Sequence, residues 1–107
     1  MNPFDIVYAE FRWKGCDDRR PWLIVESSPN GCFNCFPISG QDYTGYAFRI
    51  DQDDPDFGAT GLTKTCYIHD ETFYSLPATS FRKAKGVLTG QLLARFLVHA
   101  GLKHLRP

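Results

Sequence analysis

Four cysteines are the first residues of this chain whose spacing could do chemistry. Cys32 and Cys35 form a C-x-x-C pair, and Cys16 and Cys66 stand alone. Tetrahedral zinc needs thiolates that converge on one point, usually from two short knuckles. Here there is one knuckle, set in strand-like sequence, and positions three apart on a strand face opposite sides. The spacing favours buried free thiols over a metal site, and no cofactor is implied. His69 and Glu71 are two residues apart, which places both on one face of a strand, and an imidazole can take a proton near neutral pH. Tyr8, Trp13, Trp22, Tyr43 and Tyr46 offer flat faces on which the bases of a single strand, or a peptide, could stack.

Charge is distributed unevenly. Twelve Lys plus Arg balance twelve Asp plus Glu, so the formal net charge is zero. That balance argues against a bulk basic nucleic-acid binder and against an acidic solvating tail. Within it, residues 1–40 carry net −1 and residues 41–72 net −5. Residues 73–107 carry Arg82, Lys83, Lys85, Arg95, Lys103 and Arg106 with no acid, net +6. The polarity leaves room for a local polyanion groove fed by Arg19, Arg20 and the 83–85 connector.

The elements that must position these residues are mostly strands. With 107 residues, 43% of them hydrophobic, the chain reads as one domain, residues 1–107, with a real core. No apolar run approaches the roughly 20 residues of a membrane span. The opening MNPFDIVYAEF lacks a basic segment followed by an apolar one, so a cytoplasmic location with reduced thiols is expected. Residues 5–11 alternate, with Val7, Ala9 and Phe11 on one face. Residues 12–20 read as an exposed loop. Pro21–Val25 is a strand, and Asn30-Gly31 predicts a hairpin into Phe33–Ser39, because both turn residues tolerate positive φ. Strands follow at 46–50 and 63–68, with a loop over 51–61. Residues 72–81 read as a strand passing into a turn at Pro77, and 82–86 as a basic connector. From Gly90 the period becomes helical: Leu92, Leu93, Phe96, Leu97 and Ala100 form a stripe, Thr89 is the expected N-cap, and His99 lies on the polar side as a solvated residue. The fold class is therefore mainly β with a C-terminal helix, as a small β-barrel or coiled sheet with the helix packed on it.

Four strings, in order over residues 4–100, resemble the MazF/PemK family of toxins from toxin–antitoxin operons. Asp5-Ile6-Val7-Tyr8-Ala9-Glu10-Phe11 is similar to the family's opening strand, with Phe4 where Gly is usual. Arg20-Pro21-Trp22-Leu23-Ile24-Val25 resembles its "RP-x-L-V-V" strand. Phe36-Pro37-Ile38-Ser39 resembles "x-P-I-T/S", and Gly61 to Ile68 resembles "GL-x-x-x-S-x-v", followed by a turn into a C-terminal helix.

The resemblance implies an SH3-like barrel, usually a homodimer, and a metal-independent endoribonuclease neutralised by a cognate antitoxin. Its substrate would be single-stranded RNA, cleaved through the 2′-hydroxyl. Carried over, the catalytic core is Arg20 and Ser39. A guanidinium suits the charge that builds on the phosphoryl oxygens, and a hydroxyl can bond the same oxygens or orient the attacking oxygen. Candidates to move protons are His69, Glu71, Asp17 and Asp18. Substrate contacts are expected from Trp13, Asp17, Asp18, Arg19, Tyr43, Lys83 and Lys85, and no metal ligand or membrane contact is expected. The stretch before Arg20 is shorter than the family's loop and lacks its Glu-Gln, and Ser39 stands where Thr is usual. A non-cleaving relative that binds a protein target such as gyrase, or a plain SH3-like interaction module, is the alternative.

Overall fold

In the computed structural model, which describes residues 2–11, 13 and 19–104, the Asn30-Gly31 pair turns the chain as expected. Both residues have positive φ, 65° and 72°, and the Cys32 N–H donates back to the Pro29 carbonyl at 3.4 Å. That turn joins β2 (Arg20–Ser28) to β3 (Cys32–Ser39). β1 (Asp5–Ala9) lies on the other side of β2, with Ala9 opposite Arg20. The sheet continues through β4 (Phe48–Ile50), β5 (Cys66–Ile68) and β7 (Phe81–Val87), in the order β4-β5-β3-β2-β1-β7, while β6 (Tyr74–Pro77) also pairs with β3. Every pairing is antiparallel. The outer strands β4 and β7 do not pair with each other, so of the small barrel or coiled sheet expected from sequence, it is the open sheet that forms.

The supposed basic connector over 82–86 is β7, and its strand character is masked by Arg82, Lys83 and Lys85. It pairs with β1 through two bulges. Lys85 falls between the pairs Ile6↔Gly86 and Val7↔Ala84, and Arg82 between Tyr8↔Lys83 and Ala9↔Phe81. A bulge re-aims the extra side chain. Arg82 accordingly reaches Glu10, and Lys85 turns over the Tyr8 ring.

Alternation along the central strands fills two cores, one on each face. Ile6, Leu23, Phe36 and Ile38 belong to the first, with Leu92 and Phe96 of α2 (Gly90–His104) packed on them. Val7, Ala9, Trp22, Ile24 and Cys35 belong to the second. Leu97, placed in the helix stripe by its spacing, is 48% exposed at the rim of this packing. The side-chain bond at the start of α2 comes from a distance: the Leu92 N–H donates to Asp56 Oδ2 at 3.3 Å, whereas Thr89 contributes its carbonyl, to the Leu93 N–H. His99 is a partner of the core edge and not a solvated residue. Its Nε2 lies 3.3 Å from Oδ1 of the wholly buried Asp70.

One close approach matters for the site. Within the 51–61 loop a short helix, α1 (Phe57–Thr60), rests directly on β7. A Cβ at Gly86 would collide with the Ala59 and Thr60 carbonyls, so only glycine lets the two backbones meet. Residues 62–64, which leave α1 toward β5, are thereby held beside Lys85.

Candidate functional site

Antiparallel pairing brings the first residue of β2 to the last of β3. The register Trp22↔Pro37, carried two residues further, sets Arg20 beside Ser39. Both line a groove of about 290 Å³. Four cations line it, Arg19, Arg20, Lys64 and Lys85, and no carboxylate does so among the described residues. Such a surface attracts a polyanion through summed charge.

Each cation is held differently. Arg19 is tied by Glu10, which accepts from Arg19 Nη2 at 2.8 Å and from Arg82 at 3.2 Å. Pairing with Arg82, then Arg19, holds the Glu10 carboxyl below its ordinary range. Lys85 Nζ stands 4.4 Å from the centre of the Tyr8 ring. Arg20 makes no ion pair among the described residues. Its guanidinium carbon instead lies 5.0 Å from the centre of the Trp13 ring, and its buried Nε has no hydrogen-bond partner among them. Among the described residues nothing else engages its N–H fork, whose two parallel donors suit a phosphate. Ser39 is oriented by its neighbour, since the Gln41 N–H donates to Ser39 Oγ at 3.3 Å. That bond occupies a lone pair and leaves the hydroxyl proton to be donated outward.

His69 and Glu71 are not among the residues lining the groove. They line a separate small cavity of about 50 Å³ with Trp13, Thr44, Thr72 and Tyr74. His69 is 4% exposed. The Tyr43 N–H donates to its Nε2 at 3.3 Å, so that nitrogen serves as an unprotonated acceptor. Its ring is 4.9 Å from Trp13 and 5.7 Å from Tyr43, centre to centre. Glu71 is exposed at the rim.

Lys83 is exposed on β7 and is not among the residues lining the groove. Asp17 and Asp18, expected as substrate contacts and proton carriers, lie outside the described residues, as does Cys16. Of the five aromatics expected as stacking platforms, Trp13 and Trp22 are buried, 6% and 0% exposed, and present no free face. Tyr43 and Tyr46 are 49% and 71% exposed on a loop organised by Asp42, whose Oδ1 accepts from the amides of Thr44, Gly45 and Ala47. Partial burial of Asp42 works against ionisation, but these bonds outweigh it and hold the carboxyl below its ordinary range. Sequence reading missed Lys64 and Thr63 as groove residues. The only signal was their place after Gly61-Leu62.

No protein-family model matches the sequence, and no curated protein does. Solved structures match the fold. The chain is similar to the Mycobacterium tuberculosis toxin MazF-mt6, with a TM-score of 0.70 and 15% identity over 96% of this chain and 98% of that one. An endoribonuclease in complex with its cognate antitoxin, from a Mycobacterial species, gives 0.67 and 15%, over 99% and 95%. MazE–MazF from Deinococcus radiodurans gives 0.63 and 19%, over 95% and 94%. At these identities the likeness is one of fold.

Proposed function

We propose that this chain is a metal-independent endoribonuclease toxin of a type II toxin–antitoxin pair, which cuts single-stranded RNA through attack by the ribose 2′-hydroxyl. The observation that carries the reading is the groove in which Arg20 and Ser39 meet under four cations, without a carboxylate among its described lining residues. An interaction module of this fold needs no such convergence. The solved structures that share this fold, a toxin and an endoribonuclease with its cognate antitoxin, support the same reading.

RNA brings its own nucleophile, so the protein has three tasks: hold the phosphate, stabilise its developing charge and move two protons. Arg20 binds the non-bridging oxygens, with its plane set by Trp13. Ser39 donates to one of them or to the 2′-oxygen. Of the two described candidates for proton transfer, Glu71 is exposed while His69 is buried with Nε2 already engaged, so Glu71 is the acceptor in this reading, acting from the rim of the cavity that it shares with Trp13 and not from the groove wall itself. His69 then supports the Trp13–Tyr43 wall. The bond that forms is 2′-O to phosphorus and the bond that breaks is phosphorus to 5′-O, which leaves with a proton taken from solvent water, giving a 2′,3′-cyclic phosphate and a 5′-hydroxyl. The protein works in the cytoplasm as a homodimer, with a cognate antitoxin as its partner.

The test is incubation with mixed-sequence single-stranded RNA in excess EDTA, followed by mapping of the ends. Fragments with 5′-hydroxyl ends at a preferred short sequence are expected. No cleavage with or without metal, or cleavage only with added metal, would overturn the reading.

A further inference from the structure

We infer that Lys64 is a second phosphate-binding catalytic cation of the groove, seated there because residue 40 is glycine; the inference rests on the nuclease reading above. A phosphodiester bears one negative charge and gains most of a second as the 2′-oxygen attacks. One guanidinium answers the first charge, and a second positive group that acts mainly in the transition state accelerates the step.

Of the four cations, three are already occupied in some measure: Arg19 by Glu10, Lys85 by the Tyr8 ring, and Arg20 by the Trp13 ring. Lys64 makes no ion pair among the described residues and is exposed along the groove wall. Its ammonium sits against the backbone next to Ser39. A Cβ built on Gly40 would lie 3.1 Å from Lys64 Nζ and 3.2 Å from Cε, tighter than ordinary van der Waals contact. The Gly40 backbone is not in the left-handed region, so the conformation does not demand glycine there; the neighbouring ammonium does. The Cys66 thiol on the same wall senses both lysines: burial pushes it up, and Lys64 and Lys85 pull against that rise. The lysine is delivered by the contact of α1 with β7, which fixes residues 62–64 beside Lys85.

Two readouts test this on the full chain: cleavage of a single-stranded RNA, and the salt dependence of binding to the same oligonucleotide with 2′-deoxy substitution. Lys64→Ala is expected to lower kcat about 100-fold, the low end of the range for loss of one charge-stabilising donor, and to reduce the slope of log K against log salt by about 0.7, one phosphate contact on a single strand. Gly40→Ala should lower kcat by displacing the ammonium, and adding it to Lys64→Ala should cost little more. Arg49→Ala, which removes a cation paired with Asp51 on β4 and away from the groove, is the control and should change neither readout. Wild-type kcat and slope for Lys64→Ala would overturn the inference while leaving the nuclease reading intact, as would independent, multiplying effects of the two substitutions. Binding with a Lys64-dependent slope but no cleavage by the unaltered protein would overturn the nuclease reading and support Lys64 as a phosphate contact. No binding and no cleavage would overturn both.

Discussion

The Arg20 guanidinium is stacked on Trp13, 5.0 Å from the ring centre, and the Trp13 indole N–H is itself anchored on Tyr74 Oη at 3.1 Å. An arginine set by an aromatic ring keeps its direction, and among the described residues no carboxylate neutralises it. Trp13 is thus a positioning residue in the proposed reaction. Trp13→Leu should lower kcat about 10- to 100-fold with a much smaller change in KM, since a misdirected guanidinium fails chiefly in the transition state. Trp13→Phe should restore much of the rate. Steady-state kinetics far below the melting temperature make the comparison, and equal losses in both variants would contradict the positioning role.

Proton transfer separates Glu71 from His69. With Glu71 as acceptor, Glu71→Gln lowers kcat about 10²- to 10⁴-fold, the usual range for a general base. His69→Gln should keep most of the rate, because an amide oxygen can still accept from the Tyr43 N–H. The opposite pattern would transfer the role to the histidine.

Helix α2 depends on a residue far from it in sequence. Asp56 stands at the start of α1, yet its carboxylate accepts from the Leu92 N–H. Asp56→Ala should cost about 1 kcal/mol, as loss of a helix cap does, and lower Tm by about 5 °C in a chain of this size. Asp56→Asn should keep most of that stability. Thermal melts of the three proteins decide it.

The thiols should differ sharply in reactivity. Burial pushes Cys35 up to about 12 from an ordinary 9.0, while Cys32 is only half-buried. In a Cys16→Ser background at pH 8, iodoacetamide should modify Cys32 first and leave Cys35 untouched until the protein unfolds. The same shift gives a sign for stability. The folded value is raised, so its contribution is complete below 9.0 and is lost as pH climbs toward about 12. Mass spectrometry of time-resolved labelling would expose an early reaction at Cys35.

What could be read from the sequence was local. Asn30-Gly31 announced its hairpin because both residues must have positive φ, and the 3.6-residue spacing of Leu92 and Phe96 announced a helix that buries them. Arg20 and Ser39 were legible only through the resemblance, and they do share a groove. β7 was read as a connector because two bulges and three basic residues break its alternation. Lys64 escaped notice because its place depends on α1 meeting β7 across Gly86, a contact with no signature in neighbouring residues. Trp13 looked like an exposed platform because it lies in a charged, Gly-containing stretch, and its burial follows from Tyr74, sixty-one residues away. Phe4 is the converse case: where the resembling family has glycine, this backbone keeps a positive φ of 70° with a phenylalanine in it.

The most direct test of the central claim is the single-turnover rate of RNA cleavage in EDTA for the unaltered protein and for Arg20→Ala, with circular dichroism confirming that both are folded. Arg20 is at a strand end and pairs with no acid among the described residues, so its removal should spare the fold. The rate should fall by about 10²-fold or more, the effect of losing a donor aimed at the developing phosphoryl charge. A folded Arg20→Ala protein that cuts the same RNA at the unaltered rate would contradict the account.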